Sequence, residues 1–95
     1  MKYIKTFEKK TLMYDVGDYV YVVGYPDINN FCQIYKINKY ISKGEWDYMI
    51  NFFDEDGYHS SSLGMYIDEN DITRNLTKEE ILEFETIKDT LKFNL

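Results

Sequence analysis

Apolar residues recur at every second position along most of this chain, and near residue 75 the period changes. Trp46, Tyr48, Ile50 and Phe52 alternate with polar residues such as Asp47 and Asn51. From Thr77 onward Ile81, Phe84, Ile87 and Leu91 return three or four residues apart. Side chains alternate faces along a strand but come back every 3.6 residues on a helix. The pattern predicts a mainly β chain closed by one C-terminal α-helix, an α+β arrangement.

The individual elements follow from local signals. Val16-Gly17-Asp18 turns the chain into a strand over residues 19–23, and Pro26 with Asn29 and Asn30 breaks it. The second strand, residues 31–42, slips phase: Cys32 and Ile34 share one parity, Ile37 and Ile41 the other. A period-two register changes face only through a bulge or sharp bend, which places an irregularity near Tyr35-Lys36. After a turn at residues 42–45, residues 46–53 form a strand with Trp46, Tyr48, Ile50 and Phe52 inward. Asp56-Gly57 signals a tight hairpin. A poorer strand over residues 58–65 carries the Ser60-Ser61-Ser62 run, then a short strand (65–67) leads into a helical turn over 68–72. Thr77 and Glu80 have the spacing of a capping box, with Glu79 and Glu80 at the positive end of the final helix and Lys88 and Lys92 at its negative end. The apolar stripe of this helix needs a cover: the β domain by default, otherwise a partner or a second copy. Residues 1–13 read as a short amphipathic helix or an extended arm.

Ninety-five residues make one domain. The net charge of −6 is uneven: residues 1–53 carry seven Lys and six Asp or Glu, whereas residues 54–89 carry eleven acids against Arg74, Lys78 and Lys88. An acidic chain repels phosphate backbones, so direct nucleic-acid binding is disfavoured and a basic protein partner favoured. Cys32 is the sole cysteine, which excludes an internal disulfide and a cysteine-based zinc framework. The Lys-rich start lacks the apolar core of a signal peptide, and no apolar run reaches membrane-spanning length; the expectation is a cytoplasmic protein with no membrane contact. Ten Tyr, six Phe and one Trp suit pleated surfaces and leave polar tips for recognition.

Val16-Gly17-Asp18-Tyr19-Val20, the kinked second strand, Tyr48-x-Ile50-x-Phe52 and the Ile67-to-Ile72 turn together resemble the SH3-like barrels, including Tudor- and KOW-type modules. The resemblance covers about residues 14–72. It implies a five-stranded SH3-like barrel over residues 14–75, capped by a C-terminal helix over 76–95 and preceded by the 1–13 arm, all in a single domain. The opening Met1-Lys2-Tyr3-Ile4-Lys5-Thr6-Phe7-Glu8 and the closing Leu76-Thr77-Lys78-Glu79-Glu80-Ile81, followed by Glu83-Phe84-Glu85, are similar to short proteins common in low-GC bacteriophages. That similarity implies a phage accessory or virion-associated setting and no particular chemistry.

Catalytic and metal readings find little in the residues. Aligning Gly57 with the glycine of a calcium-binding EF-hand loop puts Phe52 and Leu63 where ligands belong. Cys32 and His59 are a conceivable nucleophile and base, but no third residue orients them. Tyr35, Lys36, Lys39 and Tyr40, with Lys43, interleave rings and cations as single-strand binders do. Tyr21, Tyr48 and Tyr58 are candidates for an aromatic cage around a methylated cation. The chain reads as a non-enzymatic protein-interaction module without cofactor or metal. Its candidate partner-binding residues are Trp46, Asp54, Glu55, Asp56, Tyr58, Asp68, Glu69 and Asp71. The alternatives are an acidic DNA mimic that blocks a nuclease or defence complex, and a weak single-stranded nucleic-acid binder.

Overall fold

A computed structural model describes residues 11–39, 46–60 and 65–93. Six strands, β1 (Tyr19–Val22), β2 (Phe31–Ile37), β3 (Tyr48–Asp54), β4 (Gly57–His59), β5 (Tyr66–Ile67) and β6 (Ile72–Asn75), are followed by α1 (Lys78–Phe93). The fold is α+β. Residues 1–10 of the N-terminal arm, the 42–45 turn, Tyr40, Ile41, Ser61, Ser62 and the Leu91 side chain lie outside what is described.

All the extended ladders are antiparallel, in the order β4-β3-β2-β1-β6. β5 adds a second partner on β3, pairing Tyr48 with Ile67 and Met49 with Tyr66. The expected closed five-stranded barrel is therefore not formed: the sheet has six strands, with β4 and β6 at its ends. Of the strand expected over 58–65 the described part is β4, which pairs beside the C-terminal half of β3. The short strand expected over 65–67 is β5, which pairs beside the N-terminal half of β3.

Period-two alternation places Val20, Val22, Cys32, Ile34, Tyr48, Ile50, Phe52, Ile67 and Ile72 in one buried cluster on one face of the sheet. The phase slip in β2 is resolved by a bulge at Tyr35: Ile34 pairs with Ile50 while Lys36, two residues on, pairs with Met49. Tyr35 is the extra residue, and Ile37 returns to pack against the same core as Ile34.

Two local expectations need correction. Trp46 is not inward in a strand; it precedes β3, is half-buried, and packs on Tyr66 with ring centroids 4.9 Å apart. The Asn38 side chain donates to the Trp46 carbonyl (2.9 Å), and the Asn38 N–H donates to the Asp47 carbonyl (2.9 Å). These bonds hold the chain before the ladder begins at Tyr48. In the β3–β4 hairpin the central residues are Glu55 and Asp56, since Asp54 pairs with Gly57. Neither central residue has a positive φ; Gly57 does, at 127°. The turn is therefore not the mirror-image type that Asp-Gly favours at its centre.

The helix starts where its capping box predicts. The Thr77 N–H donates to Glu80 Oε1 (2.8 Å) and the Glu80 N–H donates to Thr77 Oγ1 (3.2 Å). α1 packs on the face of the sheet opposite the main cluster. Fully buried Phe84 sits among Phe53, Tyr19 and Tyr58, at centroid separations of 4.8, 5.5 and 6.2 Å.

Candidate functional site

The acids of the β3–β4 hairpin gather at one end of the sheet. Asp54 ends β3 and its Oδ1 accepts the Asp56 N–H at 2.8 Å, shaping the turn, while His59 Nε2 lies 2.7 Å from the same oxygen. Partial burial works to raise the Asp54 pKa, but the His59 hydrogen bond, the Asp56 and Gly57 N–H groups and the His59 charge outweigh it. The carboxyl is held below its ordinary value. Glu55 and Asp56 project into solvent.

A fourth acid joins them from elsewhere in the chain. The β1–β2 loop is tied to the end of β3 by an Ile28–Asp54 bridge and by the Asn29 N–H donating to the Phe53 carbonyl (2.8 Å). Asp27 thereby lines the same concavity as Asp54, Glu55 and Asp56, with Phe53 and Ile87 as its apolar wall. Asp27 was not among the candidates read from the sequence. Its only local signal is a polar loop after Pro26, and the bridge that places it is a non-local pairing.

Asp68, Glu69 and Asp71 lie at the other end of β3. Tyr48, opposite Ile67 of β5, and Asp54 terminate the strand, which at about 3.3 Å per residue separates the two acidic groups by about 20 Å. The eight candidate residues are thus not one site. Glu69 Oε1 accepts from the Tyr48 hydroxyl (2.5 Å) and the Met13 N–H (2.9 Å), and the Glu69 N–H donates to Asp47 (2.8 Å). Asp71 Oδ2 accepts from the Tyr25 hydroxyl (2.7 Å) and the Asp68 N–H (2.9 Å). These two carboxylates tie loops to the sheet, whereas Asp68 is exposed. Trp46, stacked on Tyr66, belongs to this end; Tyr58, packed on Phe53, belongs to the hairpin end.

The other constellations are dispersed. Tyr48 points into the core, Tyr21 lies under the Arg74 guanidinium at 4.5 Å, and Tyr58 lies under the Lys88 ammonium at 5.8 Å. The three rings do not converge on a cage. The Cys32 thiol is buried and its pKa is pushed up to about 12 by that burial, the reverse of an activated nucleophile. Tyr35, Lys36 and Lys39 are exposed on and after the bulge; Tyr40 and Lys43 lie outside the described residues. Among the described residues no group of three His, Cys, Asp or Glu side chains is arranged to hold a metal ion. Nor, among them, is any helix long and apolar enough to cross a membrane.

No family model matches the chain, and no curated protein or solved structure matches it either.

Proposed function

We propose that this chain is a non-enzymatic protein-interaction module, an open relative of the SH3-like barrels, which receives a basic partner at the hairpin end of its sheet. The observation that carries this reading is the convergence of Asp27, Asp54, Glu55 and Asp56, from two separate loops, on one concavity with an apolar wall of Phe53 and Ile87. Carboxylates on a rim steer and orient a cationic surface, and the apolar wall gives the contact something to desolvate. Asp68 and Trp46, at the far end, are outside this contact. A phage accessory or virion-associated role, in the host cytoplasm or the particle, fits the similarity of both chain ends to small phage proteins.

Affinity capture from host lysate, with the triple reversal Asp54→Lys, Glu55→Lys and Asp56→Lys beside the single Asp68→Lys, tests the reading. The triple variant loses the captured partner and Asp68→Lys retains it. Equal capture by the folded triple variant would exclude the hairpin end as the binding surface.

A further inference from the structure

The sheet carries apolar residues on both faces, and the two sets are separate. The main cluster of nine buried residues contains neither Phe84 nor Phe53. Among the described side chains of α1 only Phe84 is buried; Ile81 and Ile87 are half-buried and Leu82 is 69% exposed. Among the described side chains, then, α1 is seated chiefly by one ring, in a slot formed by Tyr19, Phe53 and Tyr58, with Ile81 and Ile87 half-buried beside it. Polar tethers surround that ring. The Tyr19 hydroxyl donates to Glu85 Oε2 (2.5 Å), and Lys88, 3.3 Å from Glu85, lies over the Tyr58 ring. At the helix start Arg74 of β6 grips both oxygens of Glu80.

We propose that α1 is a lid, which leaves the slot as a unit, pivoting at Thr77, while the sheet and its main cluster stay folded. Opening energies within one protein range from near zero up to the global value, and elements with few buried contacts open first. The described side chains of α1 fit that description, with Phe84 alone fully buried, whereas β2 and β3 share the continuous core. Opening uncovers Tyr19, Phe53 and Tyr58 beside the acidic hairpin and so converts a covered aromatic floor into surface. This device stands whether or not the hairpin acids bind a partner.

Amide hydrogen exchange on the full chain, read residue by residue, tests it. The amides of Phe84 to Lys88 exchange at least 10-fold faster than those of Ile34 and Ile50, with a weaker dependence on urea. Glu85→Gln, which removes the charged acceptor from Tyr19, and Phe84→Ala both speed exchange in α1 and leave Ile34 and Ile50 unchanged. Identical rates and urea dependence in helix and sheet of the wild-type chain would overturn the lid, as would equal acceleration of both by Glu85→Gln. Should Phe84→Ala fail to fold, the wild-type and Glu85→Gln profiles decide.

Discussion

The Tyr48 hydroxyl meets Glu69 Oε1 at 2.5 Å, and through this pair the Met13–Tyr14 segment, the third strand and the 3-10 turn at Glu69–Asp71 are joined. Tyr48 is wholly buried, yet its oxygen also accepts the Tyr14 N–H at 3.3 Å while Glu69 accepts the Met13 N–H. A long aromatic body fills the core and its polar tip reaches the rim. Tyr48→Phe keeps the packing but leaves the carboxylate and the Tyr14 N–H each short of a partner. A loss of about 1–3 kcal/mol is expected, read as a lower urea midpoint with an unchanged slope. Tyr35→Phe, on an exposed ring, serves as the control. Equal midpoints for Tyr48→Phe and wild type would show that the bond contributes nothing.

Among the described residues burial raises four phenols, Tyr58 and three that also donate to a carboxylate. Burial first, then hydrogen bonding to a carboxylate, pushes Tyr19 (beside Glu85) and Tyr25 (beside Asp71) up to about 12, and Tyr48 (beside Glu69) is raised in the same way. The folded protein keeps protons that the unfolded chain releases near pH 10, so their contribution is whole below pH 10 and declines as pH rises toward 12. Phenolate absorbance at 295 nm should show Tyr19, Tyr25 and Tyr48 still protonated at pH 10.5 and titrating in step with loss of the native circular dichroism. Complete ionisation of all ten tyrosines by pH 10.5, with the fold retained, would contradict these shifts.

Glu80 responds in the opposite direction. The Arg74 guanidinium (2.6 and 3.0 Å) and then the Thr77 N–H hold its pKa down to about 2, from an ordinary 4.5. This contribution is present above pH 4.5 and is lost as pH falls through about 2. Helical ellipticity of the wild type should drop more than that of Glu80→Gln across that window. Thr77→Ala, which removes the other half of the cap, is expected to cost about 1 kcal/mol at neutral pH. Parallel acid profiles for wild type and Glu80→Gln would sink the assignment.

Much of this fold was legible because its signals are local. The parity slip between Ile34 and Ile37 marked the bulge, and Thr77 with Glu80 marked the helix start. What escaped depends on pairing between distant segments. Trp46 has the parity of a core residue, but Asn38 holds the chain in front of the strand. Asp27 reaches the hairpin acids only through the Ile28–Asp54 bridge. The side of the sheet that α1 covers was written in Tyr19, Phe53 and Tyr58, apolar rings on the outward parity, which mark a sheet with two apolar faces. The acids at 68–71 and 54–56 look alike in sequence, and only β3 between them sets them about 20 Å apart.

The bulge yields a test that reverses the usual expectation for a deletion inside a strand. With Tyr35 removed, Ile34, Lys36 and Ile37 follow one another as in, out and in, and their partners Ile50, Met49 and Tyr48 are already consecutive. The shortened strand therefore keeps every core residue on its face, losing only the local bend that a bulge supplies. Deleting Gln33 is different. Either the β1–β2 and β2–β3 ladders fall out of register, or the bulge is consumed and Tyr35 is driven into the core position of Ile34, with Ile34 turned outward. Overpacking of that kind costs about 1–3 kcal/mol before the exposed isoleucine is counted, a large share of the stability of a domain this size. The Tyr35 deletion is expected to give a dispersed amide spectrum and a cooperative melt, and the Gln33 deletion a collapsed or unfolded chain. A folded Gln33 deletion beside an unfolded Tyr35 deletion would mean that the extra residue in β2 is not Tyr35.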